Sequence, residues 1–213
     1  LAGAEQQLDS QVNGNQQTLQ VRLNPQLPPD INQQVVNPLS LPGFSLPNGH
    51  GLFQLSLNPA HPYLIETNPA FANLSHFLSS DYLLSRLGYS ADAMQRRLGD
   101  GLYEQRLIQQ AITARTGQRF IAGLSSDEAM FRALMDNAIA SKETLQLSVG
   151  VALTAEQVAA LTHDIVWMQE QQVEGHKVLV PVLYLAQAND RLAPSGALIQ
   201  GRDVALISGS ALS

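Results

Sequence analysis

The chain contains no cysteine. That excludes disulfides, thiolate nucleophiles and cysteine-ligated metals. It fixes no compartment, although a very large secreted protein that crosses membranes unfolded would gain from lacking cysteine. Charge is also scarce. Only 14% of the 213 residues are charged, the formal net charge is -6, and the lysines are Lys142 and Lys177 alone. Nucleic-acid binding needs clustered Lys and Arg, so this composition predicts no nucleic-acid partner. No apolar run approaches the ~20 residues of a membrane-spanning helix, and no Met-led basic segment with an apolar core opens the chain. The sequence begins without Met and ends in mid-pattern at GSALS. It is therefore expected to be a fragment of a longer protein, with length enough for one or two domains.

Proline divides what is present. Nine of the eleven prolines precede residue 70, and none lies between Ala70 and Val180. Proline removes a backbone donor and pushes its predecessor out of the helical region, so residues 1–62 are predicted to be a Pro-, Asn- and Gln-rich extended or β segment. TLQVRL and GLFQLSL alternate with period two and read as strands, and Asn48-Gly49 suggests a hairpin between apolar runs. Residues 63–164 read as a compact helical domain. Ser80 is placed to cap a helix through LLSRL with Gly88 past its end, and Ser90 to cap ADAMQRRL, closed by Gly99. LYEQRLIQQAITART runs to Gly117, and Ser125 with Glu128 and Thr154 with Gln157 form capping-box patterns. Leu107, Ile108, Ala111 and Ile112 share one helical face, and so do Met130, Phe131, Leu134 and Ala138. Residues 165–213 change texture again. IVWMQEQQV and KVLVPVLYL flank Glu174-Gly175-His176 and predict a β-hairpin, with Pro181 at an edge or a break. SGALI and SGSAL form a weak repeat that suits the first coil of a parallel β-helix.

Candidate chemistry is sparse. Adjacent His163 and Asp164 supply metal ligands in one phosphohydrolase class, with His76 and Asp190 as available partners, but two residues that end a helix have the same appearance. Glu66 and Asp81 could form a general acid–base pair only by facing each other across a cleft. Alternatively, Asn68-Pro69 turns the chain and Asp81 meets a helix N-terminus. His50, His61 and His176 sit in turns, and no pair has the spacing of an H-E-x-x-H site. GLSSD fails as a nucleophile elbow because its fifth position is Asp127 rather than Gly. Gly99-Asp100-Gly101 reads as a helix-to-helix turn, or as a weak ion cradle. Trp167 is a core residue or a binding hot spot. The expected core is Phe71, Phe77, Tyr82, Leu83, Tyr103, Phe120, Phe131 and Trp167. No catalytic, cofactor-binding or metal-ligating residue is assigned.

The order ETNPAFANLSHFLSSDYLLSRLGY, QRRLGDGLYEQRLIQQAITARTGQRF, SSDEAMFRALMDN, GVALTAEQVAALTHDIVWM and VLVPVLYL resembles a region of very large two-partner-secreted exoproteins. These are the filamentous-haemagglutinin-like adhesins and the CdiA-type effectors of contact-dependent growth inhibition. The likeness runs from about Tyr63 to Leu185, and SGALIQGRDVALISGSALS resembles the haemagglutinin repeats that follow. Phe77 stands where the pattern has Trp. The resemblance implies an α+β chain with a Pro-rich extended segment, a helical domain, a hairpin and the start of a right-handed parallel β-helix. It also implies a secreted protein at the cell surface or outer membrane of a Gram-negative bacterium, periplasmic while export is paused. The implied partners are an outer-membrane two-partner-secretion transporter and a target-cell receptor. The resulting expectation is a non-enzymatic structural and delivery module that needs no cofactor and holds back the C-terminal part during paused export. The alternatives are a receptor- or carbohydrate-binding adhesin module, marked by exposed aromatics around Phe44, Phe53 and Tyr63, and a metal-dependent hydrolase using His163-Asp164.

Overall fold

A computed structural model describes the backbone of residues 6–10 and 17–21, and residues 27–70, 77–121 and 123–187 in full. The fold is mixed α/β. In chain order come β1 (Gln6–Ser10), β2 (Gln17–Val21), the single helical turn α1 (Pro29–Asn32), β3 (Val35–Val36), β4 (Phe53–Leu55) and β5 (Tyr63–Thr67). These are followed by α2 (Asp81–Arg86), β6 (Arg97–Gly99), α3 (Gly101–Thr116), α4 (Asp127–Leu145), α5 (Ala155–Ala159), β7 (Ile165–Val173) and β8 (His176–Tyr184). All eight strands join one sheet in the order β1-β2-β7-β8-β6-β5-β4, and β3 pairs with the far end of β8. Six of them, β3 to β8, are described with side chains.

The β7–β8 hairpin forms as its sequence predicts. Its turn is Glu174-Gly175, both at positive φ (52° and 77°), which is the type I′ geometry that matches the twist of flanking strands. Val173 pairs with His176, so His176 belongs to the strand rather than the turn. Every residue from Val178 to Tyr184 is buried. A continuous apolar run of that kind suits a strand covered on both faces.

Pro181 needs a different account from the predicted edge. It lies in the middle of a central strand, opposite Met168. Along β8, the N–H groups of Leu179 and Leu185 point away from β7, to the carbonyls of Arg96 and Gln34. The ring nitrogen of Pro181 points the same way by alternation. It falls between Leu179, where β6 pairs, and Leu183, where β3 pairs. The missing donor therefore faces the gap between two neighbouring strands, and no ladder bond is lost.

Two other expectations fail. ADAMQRRL is not a helix capped by Ser90 but a 3-10 turn at Ala91–Ala93 leading into β6. Tertiary contact overrides propensity here: β6 is buried throughout, between β5 and β8 and parallel to both. Asn48-Gly49 makes a turn in which the Asn48 side chain accepts the His50 N–H at 2.9 Å, but β4 pairs with β5 and not with the run before the turn.

The helix signals were better. Asp100 caps α3, and Gly117, at φ 73°, closes it. Ser126 rather than Ser125 caps α4, and the Thr154–Gln157 capping box of α5 has both of its bonds. The inner faces of α3 and α4 pack with Trp167, Met168, Val182 and Tyr184, while Leu64, Ile65, Leu98, Tyr103, Val178 and Val180 belong to a second apolar cluster. Of the expected core, Leu83, Tyr103, Phe131 and Trp167 are buried, and Phe77, Tyr82 and Phe120 are half-buried. Phe71, His76 and Asp190 lie outside the described residues, as does the segment read as a β-helix coil; among the described residues there is no right-handed β-helix.

Pro181→Ala removes buried ring atoms and adds an N–H that faces the gap without a partner, and should cost about 1–2 kcal/mol of unfolding free energy in urea. Val182→Pro, one residue on, should cost ~3 kcal/mol or more, since the Val182 N–H points to β7. Equal effects at the two positions would refute the register argument.

Candidate functional site

A cavity of about 780 Å³ runs beside β5 to the C-terminal ends of β5 and β6 and the first turns of α2, α3 and α4. Crevices at the carboxyl ends of parallel strands are common ligand sites in α/β sheets. The acidic and basic side chains of the lining are His61, Glu66, Asp81, Asp100, Glu128 and Arg132. Glu66 and Asp81 thus share a cleft, which the acid–base reading requires.

Their partners, however, are structural. Glu66 meets His61 Nε2 at 3.0 Å and the Gln54 amide, its cross-strand neighbour, at 3.3 Å. His61 Nδ1 is engaged by the Tyr63 backbone. Both ring nitrogens are therefore occupied, and Glu66 staples the β4–β5 connection. Asp81 lies 2.7 Å from Arg97 Nη1, as an ion pair without hydrogen-bond alignment. One Asp100 carboxylate oxygen accepts the Tyr103 N–H and the other the Thr67 N–H, tying β5 to the start of α3. Gly101 is required beside it. A Cβ there would lie 2.5 Å from the Phe77 carbonyl oxygen.

Behind this wall lies the group that the sequence did not disclose. Glu104 is fully buried. Its Oε1 accepts the Ser80 N–H at 2.7 Å and its Oε2 accepts the Ser80 hydroxyl at 2.6 Å. Burial pushes its carboxyl up to about 7, against the opposing effects of the Ser80 bonds and the Arg97 charge. Burial, then the Asp81 charge, also raises the Tyr63 phenol. An alternation of buried and exposed positions on α3 offers no warning of Glu104, because Glu at a first helical turn ordinarily serves the helix dipole.

The remaining candidates separate. The Asp164 carboxylate is buried and accepts the Ala186 N–H at 2.7 Å, while exposed His163 contacts Thr162. The pair does not converge, and among the described residues no group of three His, Asp or Glu could hold a metal. Trp167 is a core residue whose indole N–H donates to the Ser148 carbonyl at 2.9 Å. Phe44 and Phe53 pack on the second apolar cluster, with Phe53 edge-on to Tyr103 at 4.9 Å. His176 meets Arg96 at 3.1 Å, and Arg96 also donates to carbonyls of the 56–63 loop.

Glu104 makes stability pH-dependent. Below about 4.5 it is protonated in both states. Between about 4.5 and about 7 only the folded chain holds the proton, so its stabilising contribution is present at acid pH and is lost as pH rises through that window. Glu104→Gln should become more stable relative to the parent sequence by about 2 kcal/mol between pH 5 and pH 8, measured by urea unfolding. A difference that does not change with pH would refute this.

No family model matches the chain, and no solved structure matches it. Curated relatives do. A tRNA nuclease CdiA-2 of Burkholderia pseudomallei (strain 1026b) is 41% identical over 171 residues, 80% of this chain. A 16S rRNA endonuclease CdiA of Enterobacter cloacae subsp. cloacae is 42% identical over 147 residues, 69% of the chain. A deoxyribonuclease CdiA of Dickeya dadantii (strain 3937) is 41% identical over 155 residues, 73% of the chain. The chain spans only 4 to 5% of the length of these relatives. Their names overturn two expectations, the absence of enzymatic activity, which followed from the resemblance, and the absence of a nucleic-acid partner, which followed from composition: the relatives are named as nucleases of tRNA, rRNA and DNA. The chain belongs to the CdiA-type proteins of contact-dependent growth inhibition.

Proposed function

We propose that this chain is a segment of a secreted, cell-surface toxin-delivery exoprotein of a Gram-negative bacterium, and that the parent protein is a nuclease acting on RNA or DNA. One observation supports this reading above others. Relatives named for three different nucleic-acid substrates share the segment at 41 to 42% identity. What they hold in common cannot be what distinguishes tRNA from rRNA or DNA. The shared fold therefore serves a task that the three have alike, and delivery is such a task.

The fold suits a holding role during paused export. A sheet with a central hairpin of two nine-residue strands, covered on both faces along β8, must unfold before it passes a narrow pore. No helix among the described residues is long and apolar enough to cross a membrane. Loss of stability in the core should weaken that hold.

The full-length parent should cleave tRNA, rRNA or DNA in vitro; failure on all three would sink the nuclease part of the proposal. Assay of the 213-residue chain alongside it would show whether the catalytic groups lie within the chain. For delivery, Phe131→Ala removes a fully buried ring and should cost ~3–5 kcal/mol. In the full-length parent it should increase the fraction of C-terminal sequence reaching the surface before target contact. An unchanged distribution across the outer membrane, despite proven destabilisation, would count against a holding role.

A further inference from the structure

The wall of the cavity is fixed to α3 at three successive places. The Phe77 and Leu78 carbonyls press on Gly101. The Leu78 carbonyl also accepts the Gln105 amide at 2.9 Å. Ser80 gives both its N–H and its hydroxyl to Glu104. The last contact differs from the others in carrying an ionisable group. Ser80 is the residue that enters α2, yet its hydroxyl makes no capping bond to that helix. With six residues, α2 is too short to be stable on its own. The start of α2 is thus held from outside, by a carboxylate with no exposure to water.

We infer that Glu104 and Ser80 form a proton-operated latch that sets how readily the cavity wall, residues 77–84, opens. When Glu104 is protonated, Oε2 donates to the Ser80 hydroxyl oxygen and Oε1 still accepts the Ser80 N–H. The closed geometry is kept and no charge is buried. When Glu104 is ionised, both of its oxygens accept from Ser80, and the remaining deficit is that of a carboxylate without water. Opening the wall admits water and relieves that deficit. Proton loss therefore favours the open form, and proton uptake favours the closed one.

The surrounding charges do not remove the deficit. Arg97 on β6 favours the ionised form, but its Nη1 is on Asp81. Asp81 at the start of α2 opposes ionisation. Tyr63 on β5 and Asp100 at the cap of α3 share the same field, and both Asp100 oxygens are committed to backbone N–H groups. The latch does not depend on the proposed delivery role or on the parent's nuclease activity.

Hydrogen exchange on the 213-residue chain tests it. After correction for intrinsic rates, the opening constant at Ser80, Leu83 and Leu84 should rise on the order of tenfold or more between pH 5.5 and pH 8. These amides should exchange faster than Phe131 in α4. Glu104→Gln should flatten the dependence. Ser80→Ala removes a bond that favours the ionised form, so it should move the transition to higher pH; this variant keeps the test open if Glu104→Gln does not fold. Exchange at Ser80 no faster than at Phe131, a pH dependence retained in Glu104→Gln, or an unmoved transition in Ser80→Ala would each overturn the latch.

Discussion

Strand β8 is the common partner of three other strands, and its sequence has to satisfy all of them. It pairs antiparallel with β7 along its whole length, parallel with β6 at Leu179, and antiparallel with β3 at Leu183 and Tyr184. A strand with neighbours on both edges and cover on both faces can carry neither alternating polarity nor an unpaired donor. VLVPVLY meets both demands. Its one missing donor, at Pro181, falls where β6 has ended and β3 has not begun. The register between β7 and β8 is set in turn by Glu174-Gly175, since a one-residue slip would exchange the two faces of the strand.

The central hairpin was legible because its signals are local: two apolar runs, a short Gly-containing separator between them, and no helical period. The helices were legible for the same reason, through caps and Gly stops at Gly117 and Thr154. What could not be read is what depends on distant partners. Arg97-Leu98-Gly99 looks like the end of a helix until β5 and β8 are placed on either side of it. Pro181 looks like an edge residue until the handover between neighbours is seen. The candidate site was half legible. Glu66 and Asp81 were singled out from the sequence, and they do line one cavity, but their roles came only from partners that the fold brings to them: His61 in the preceding loop, Gln54 across the sheet and Arg97 on β6.

Glu104 shows why a list of charged residues is a poor guide to chemistry. On the sequence it is an ordinary acid in the first turn of a helix. In the fold it is the charge-bearing contact between α3 and the start of α2, buried where a carboxylate is costly. Ser80 was read correctly as the residue that begins a helix, but for the wrong bond. Its hydroxyl turns from its own helix to Glu104, and Ser79 supplies an oxygen to the Asp81 N–H at 3.1 Å instead.

These features divide the molecule by firmness. Around β7, β8 and α4, apolar burial is extensive, and the buried Gln169 and Gln171 of β7 are paired with Tyr184 and Asn37. Around the cavity, the wall depends on individual polar contacts, and a short helix is held by a group that prefers to be neutral. Local opening draws on regions of the second kind, because they can be released without disturbing the sheet. The division rests on one buried carboxylate set against a six-residue helix.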